Sequence, residues 1–213
     1  MSTVDPNTVS LFRDSEHIPP DYWEELNGLE VDRVCKRALV TFHPEKGFII
    51  PFLNRHYVCH PASKRIFLED RLEKKPSFQE YLVLLMYLLR AEECLPEGIK
   101  VSERELPGGE LFFRGPHALL KTPLEKRFAR DPEGFLKAGL SLAGKQTARG
   151  EASFELTVLP RIAVEYILYV EDEEFPAQVT INFDRTISRH LPLDAIWALV
   201  NLTGRRIETY DKG

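Results

Sequence analysis

Apolar residues recur at helical spacing in some stretches of the chain and run on or alternate in others, and the switches fall at turn residues. Asp21, with Glu24 three residues later, opens a short helix through Leu26, and a second is predicted from about Asp32 to Ala38. Residues 39–42 and 48–53 flank Pro44-Glu45-Lys46-Gly47, and residues 57–59 and 64–68 flank Pro61-Ala62-Ser63. Each pair predicts a β-hairpin and therefore antiparallel pairing. Ser77 with Glu80 forms a capping box, and the helix it opens should run to about Cys94. From Tyr81 to Leu89 that helix is apolar on every side, so it is expected at the centre of the fold, covered all round.

Residues 100–106 and 110–114 flank Pro107-Gly108-Gly109, a type II turn signature, and predict a third hairpin. Thr122-Pro123-Leu124-Glu125 opens a helix, and Asp131-Pro132-Glu133 opens another that ends near Gly144. Strands are predicted over 152–159, 162–170 and 178–183. A last helix opens at Leu191-Pro192-Leu193-Asp194 and stops before Gly204, read as the residue just past its end. No repeat and no linker interrupts the pattern. The expectation is a single α+β domain over residues 21–206. Its largely antiparallel sheets, built from hairpins, pack on the central helix at about 77–94, with further helices near 123–143 and 192–203. Residues 1–20 read as a flexible arm and 207–213 as a polar tail.

Composition narrows the class. The chain has 213 residues, 43% hydrophobic, 10% aromatic and 29% charged, which excludes collagen-like, low-complexity and wholly disordered chains. Its formal charge of −5 argues against a general nucleic-acid binder. The longest apolar run, 81–89, falls far short of the ~20 residues a membrane span needs. The first residues carry no basic or apolar leader, and Cys35, Cys59 and Cys94 are scattered and odd in number. A cytoplasmic protein with reduced thiols is expected, with no nucleic-acid or membrane partner. No iron–sulfur or structural zinc motif occurs, so no cofactor is assigned and no metal ligand is proposed.

Four clusters carry candidate chemistry, each with a plain structural alternative. Four acids in a row, Glu171-Asp172-Glu173-Glu174 before Phe175-Pro176, form either a solvated loop or, pulled inward, a source of an acid–base group such as Asp172 or Glu174. Thr180, Asn182 and Asp184 share one face of a strand, and His190 follows. Asp184 either orients His190 for proton transfer or metal binding, or accepts backbone N–H groups in a turn while His190 stays on the surface. Arg104 and Glu105 precede the Pro-Gly-Gly turn, and Phe113 and His117 follow it. They form either a ligand-holding corner or a structural hairpin with a surface ion pair. In His56-Tyr57-Val58-Cys59-His60 the histidines face away from Cys59, so the cysteine reads either as a small hydrophobe or as a nucleophile needing a histidine from elsewhere. No GxSxG elbow, kinase motif or nucleotide loop is present.

Several spaced motifs carry a resemblance. They are Glu105-Leu106-Pro107-Gly108-Gly109, Phe112-Phe113, Gly115-Pro116-His117, Gly144, Val158-Leu159-Pro160-Arg161, Asp172-Glu173-Glu174-Phe175-Pro176-Ala177, Phe183-Asp184 and His190-Leu191-Pro192. In this order they resemble an uncharacterised prokaryotic family, domain of unknown function 3786, over roughly residues 30–204. The resemblance implies a protein of anaerobic bacteria or archaea and brings no established activity. Some members look joined to a four-cysteine iron–sulfur module, which suggests an iron–sulfur or redox partner protein. This chain has no such cysteine set.

The functional expectation is a binding or accessory protein of anaerobic prokaryotic metabolism. It would hold a small molecule, cofactor or protein partner between sheet and central helix, with Arg104, Glu105, Phe113, His117 and Asp172 as ligand contacts. The alternatives are an enzyme of acid–base or metal-assisted hydrolysis using Asp184, His190 and Glu174, and a structural protein-interaction module.

Overall fold

The computed structural model describes residues 18–210 apart from Leu72. Positions 1–17 of the expected arm and 211–213 of the expected tail lie outside the described residues. Helices α1 (Pro20–Asn27) and α2 (Val31–Ala38) lead into a four-stranded antiparallel sheet. Its strands β1 (Thr41–His43), β2 (Gly47–Phe52), β3 (Arg55–His60) and β4 (Arg65–Leu68) lie in chain order, as sequential hairpins dictate. The first turn needs Gly47, because at φ +105° a Cβ would sit 2.2 Å from the Cys59 carbonyl oxygen.

Helix α3 (Phe78–Arg90) is the central spine. Its Ser77–Glu80 capping box is formed, and every residue from Val83 to Leu89 is buried. Tyr57 of β3 donates to Glu80 Oε1 at 2.5 Å, which docks the start of α3 on the first sheet. Tyr87 Oη donates to the Ala38 carbonyl (2.8 Å) and accepts the Arg161 N–H (3.1 Å), joining α2 and the second sheet to the same helix. Two guanidiniums cap helix ends. Arg37 donates to the Leu88 and Ala91 carbonyls at the end of α3. Arg161 donates to the Lys36, Arg37 and Cys94 carbonyls (3.2, 2.5 and 2.8 Å).

The second sheet is antiparallel, with strand order β5-β9-β8-β7-β6. Its strands are β5 (Lys100–Val101), β6 (Lys145–Gln146), β7 (Ala152–Leu159), β8 (Ile162–Tyr169) and β9 (Gln178–Asp184). Leu53 N–H donates to the Val158 carbonyl (3.1 Å), which joins the two sheets. Helices α5 (Thr122–Phe128), α6 (Pro132–Ser141) and α7 (Leu193–Glu208) pack with this sheet and with α3. Gly139 of α6 lies against the Phe154 ring so closely that a Cβ would meet it at 2.3 Å.

The expected α+β single domain is therefore present, with two departures. Leu106-Pro107-Gly108-Gly109 does form the type II turn, with Gly108 at φ +75° and Gly109 N–H on the Leu106 carbonyl (2.8 Å). It does not join two strands. Ser102 and Glu105 form a capping box that winds 103–105 into a 3-10 turn, and α4 (Gly109–Phe112) follows. Local side-chain capping outcompetes strand pairing here. Gly204 lies inside α7 rather than past its end, where it lets Leu124 of α5 approach closely (4.0 Å to an added Cβ).

Candidate functional site

The Arg104–His117 cluster falls on consecutive short helical turns beside α7. Glu105 is committed to the Ser102 N–H and hydroxyl (2.8 and 2.7 Å), bonds that hold its carboxyl below the ordinary range. Arg104 is exposed, and Phe113 is buried in the core rather than walling an open pocket. His117 stacks on Phe112 (4.6 Å between centroids) and meets Trp197 edge-on (5.9 Å).

Asp172 and Glu174 lie on the exposed β8–β9 loop. Asp172 accepts the N–H groups of Phe175 and Glu174 (2.7 and 2.8 Å), which lowers its pKa and makes this a solvated turn. Asp184 lies at the other end of β9. Six strand steps separate Gln178 from Asp184, about 20 Å. The trio Asp184, His190 and Glu174 is therefore not assembled in one cleft, and the Pro-Gly-Gly turn and the acidic bend do not rim one hollow. The chain path between them is a whole strand.

Asp184 and His190 instead grip one loop, residues 91–99. Asp184 accepts Glu97 N–H (3.1 Å), Gly98 N–H (2.7 Å) and the Thr186 N–H and hydroxyl (3.0 and 2.7 Å). Burial pushes its carboxyl up, but these bonds outweigh it and the pKa falls. His190 is buried, not on the surface, and accepts Glu92 N–H on Nδ1 (3.3 Å) with Cys94 Sγ 3.6 Å from Nε2. Burial and then Arg161 drive its pKa down to about 4. In β3, Cys59 is fully buried, and burial pushes its thiol up. Among the described residues no group of three or more His, Cys, Asp or Glu is arranged to hold a metal ion.

A concavity of about 340 Å³ opens elsewhere, between α1, β4 and the start of α3. Its floor is Trp23, Ile66 and Tyr81, all buried, with Phe67 alongside. Trp23 and Tyr81 meet edge to face at 6.4 Å. Its rim carries Lys64, Arg65, Lys74 and Lys75, and no acid lines it. Among the described residues none of these four side chains makes an ion pair or hydrogen bond. Local structure sets them there. His60 Nδ1 accepts the Ser63 N–H (3.2 Å) to close a tight turn, and Lys64 leaves it at φ +54° into β4. Lys74-Lys75-Pro76 is the approach to the α3 cap. A second hollow of about 250 Å³, at Asn54, Arg55, His56, Glu69 and Asp70, carries both signs of charge and so balances itself.

None of the eight residues singled out from the sequence lines the basic cleft. The signal that marks it is a pair of basic doublets, Lys64-Arg65 and Lys74-Lys75, in an acidic chain, with Trp23 and Tyr81 at helical positions facing them.

A family model described as a domain of unknown function (DUF3786) matches residues 30–206. No curated protein matches the chain. No solved structure matches it either.

Proposed function

The chain belongs to the DUF3786 family, and from that premise we propose that it is a binding or accessory protein that holds a small anionic molecule with a flat apolar body. The proposed seat is the cleft between α1, β4 and the start of α3. The observation that carries the reading is the set of four unpaired cations over an aromatic floor in a chain of net charge −5. Like charges gathered on one rim repel, and a bound carboxylate or phosphate relieves that repulsion. Trp23, Tyr81 and Phe67 offer ring faces and edges to the apolar part. The cleft is bounded by sheet on one side and the first turn of the central helix on another, so the reading keeps a sheet–helix pocket and moves its address.

The setting is proposed with it. Three unpaired cysteines support a reducing cytoplasm. No helix among the described residues is long and apolar enough to cross a membrane. A place in anaerobic prokaryotic metabolism, and an iron–sulfur or redox partner protein, rest on the family resemblance alone. The test is native mass spectrometry of the chain purified from its own cells. The reading predicts a co-purifying small anion that is absent from a Lys74→Glu/Lys75→Glu variant. A bare chain mass, or a ligand kept by that variant, contradicts it.

A further inference from the structure

The loop that leaves α3 carries a thiol whose surroundings are those of a nucleophile. We propose that Cys94 is the reactive thiol of this chain, a site of thiol–disulfide exchange with low-molecular-weight disulfides, held for attack by an N–H of His190. The inference does not depend on the basic cleft, none of whose lining residues it uses.

The hydrogen-bond pattern assigns the roles. His190 Nδ1 accepts the Glu92 N–H at 3.3 Å, so the neutral ring carries its hydrogen on Nε2. That N–H faces Cys94 Sγ, 3.6 Å away. Both ring nitrogens are thus committed, and His190 acts as a donor to sulfur rather than as a base that takes the thiol proton. A donor bond to sulfur strengthens when the sulfur carries charge. Cations gather at the same place. Arg161 holds the Cys94 carbonyl at 2.8 Å, and Arg189, paired with Glu92, lies within electrostatic reach of the thiol. Asp184 pins the far side of the loop at Glu97 and Gly98, so the sulfur has a fixed position.

Two further observations separate Cys94 from its fellows and point outward. Cys59 is fully buried, and burial and then Asp32 push the Cys35 thiol up, so neither is presented for attack. Next to Cys94, Leu95 stands 83% exposed, an unpartnered apolar side chain beside a half-exposed thiol. It offers contact to the apolar part of an incoming disulfide.

The step balances. Cys94 releases its proton to water and its thiolate attacks one sulfur of RS–SR. A Cys94–SR bond forms as the RS–SR bond breaks, and the departing RS⁻ takes a proton from water. Cys94 is oxidised to a mixed disulfide and one half of the reagent is reduced to RSH. The new group occupies the space where Sγ faces His190.

The experiment treats the full chain with 2,2′-dithiodipyridine at neutral pH and follows release of the pyridinethione, with peptide mapping of the labelled site. One fast equivalent is expected, at Cys94, and Cys94→Ser removes it. His190→Ala slows that equivalent by about tenfold in a chain that still unfolds cooperatively, and His190→Gln, which keeps an N–H at the same reach, restores most of the rate. A fast equivalent that maps to Cys35, or the absence of any fast equivalent in the unaltered chain, overturns the proposal. So does a folded His190→Ala variant whose Cys94 rate is unchanged.

Discussion

The Tyr81 hydroxyl donates to the carbonyl of Ile66 at 3.0 Å and accepts the N–H of the same residue at 3.2 Å, so one side chain of α3 closes the outer edge of β4. An open edge would invite another strand. Here the edge groups are satisfied from within, and Tyr81 also forms the floor of the basic cleft.

Tyr81→Phe keeps the ring and removes both bonds, leaving the Ile66 N–H and carbonyl without their partner. A loss of about 1–3 kcal/mol is expected in urea unfolding. A midpoint equal to that of the unaltered chain would show that the edge gains nothing from the hydroxyl.

Packing between α6 and β7 is tight enough to make one methyl group costly. Gly139→Ala places a Cβ against the Phe154 ring, which itself packs on Phe135 (4.9 Å) and Tyr166 (5.7 Å). The expected destabilisation is about 1–3 kcal/mol, with the melting temperature lowered. A neutral or stabilising effect would mean that the ring moves freely aside.

Acid should loosen the 91–99 loop in a defined order. His190 has its pKa pushed down to about 4 from 6.5, so the unfolded chain binds the extra proton first. Stability from keeping it neutral is present above about 6.5 and is lost as pH falls through about 4. Asp184 has a lowered pKa, so its contribution is present above the ordinary Asp value and is lost at still lower pH. Unfolding free energy measured across this range should decline as pH falls below about 6.5, and His190→Gln should flatten the upper part of that decline. An unchanged slope in the variant would contradict the buried neutral histidine.

The acidic bend predicts silence. Glu174 is exposed and lies at the opposite end of β9 from Asp184. Glu174→Gln should leave stability within about 0.5 kcal/mol and Cys94 reactivity unchanged. A large effect on either would require the two ends of β9 to communicate.

What was legible in the sequence is what neighbours along the chain decide. The Ser77–Glu80 box, the Gly47 hairpin and the Pro107–Gly108 turn all form because the groups that make them lie within a few residues. The error after Gly109 arose one level up. The turn was right, but a turn does not say whether strands or helices flank it, and the Ser102–Glu105 cap chose helix. Gly204 misled for a similar reason, since its small size serves the approach of Leu124 across the fold. His190 was singled out with the wrong partner. Asp184 is near in sequence, whereas Glu92 and Cys94, which it contacts, lie almost a hundred positions earlier. The basic cleft escaped notice because Trp23, Arg65 and Lys75 belong to three separate elements, and no periodicity links them.

Charge is the claim on which the proposed function stands, and calorimetric titration with naphthyl phosphate against naphthol tests it most directly. The account predicts saturable one-to-one binding of the phosphate that weakens with salt, falls by about tenfold or more in Lys64→Glu/Lys74→Glu/Lys75→Glu, and is far weaker for the neutral naphthol. Equal binding of the two compounds, or phosphate binding untouched by the charge reversals, would contradict it.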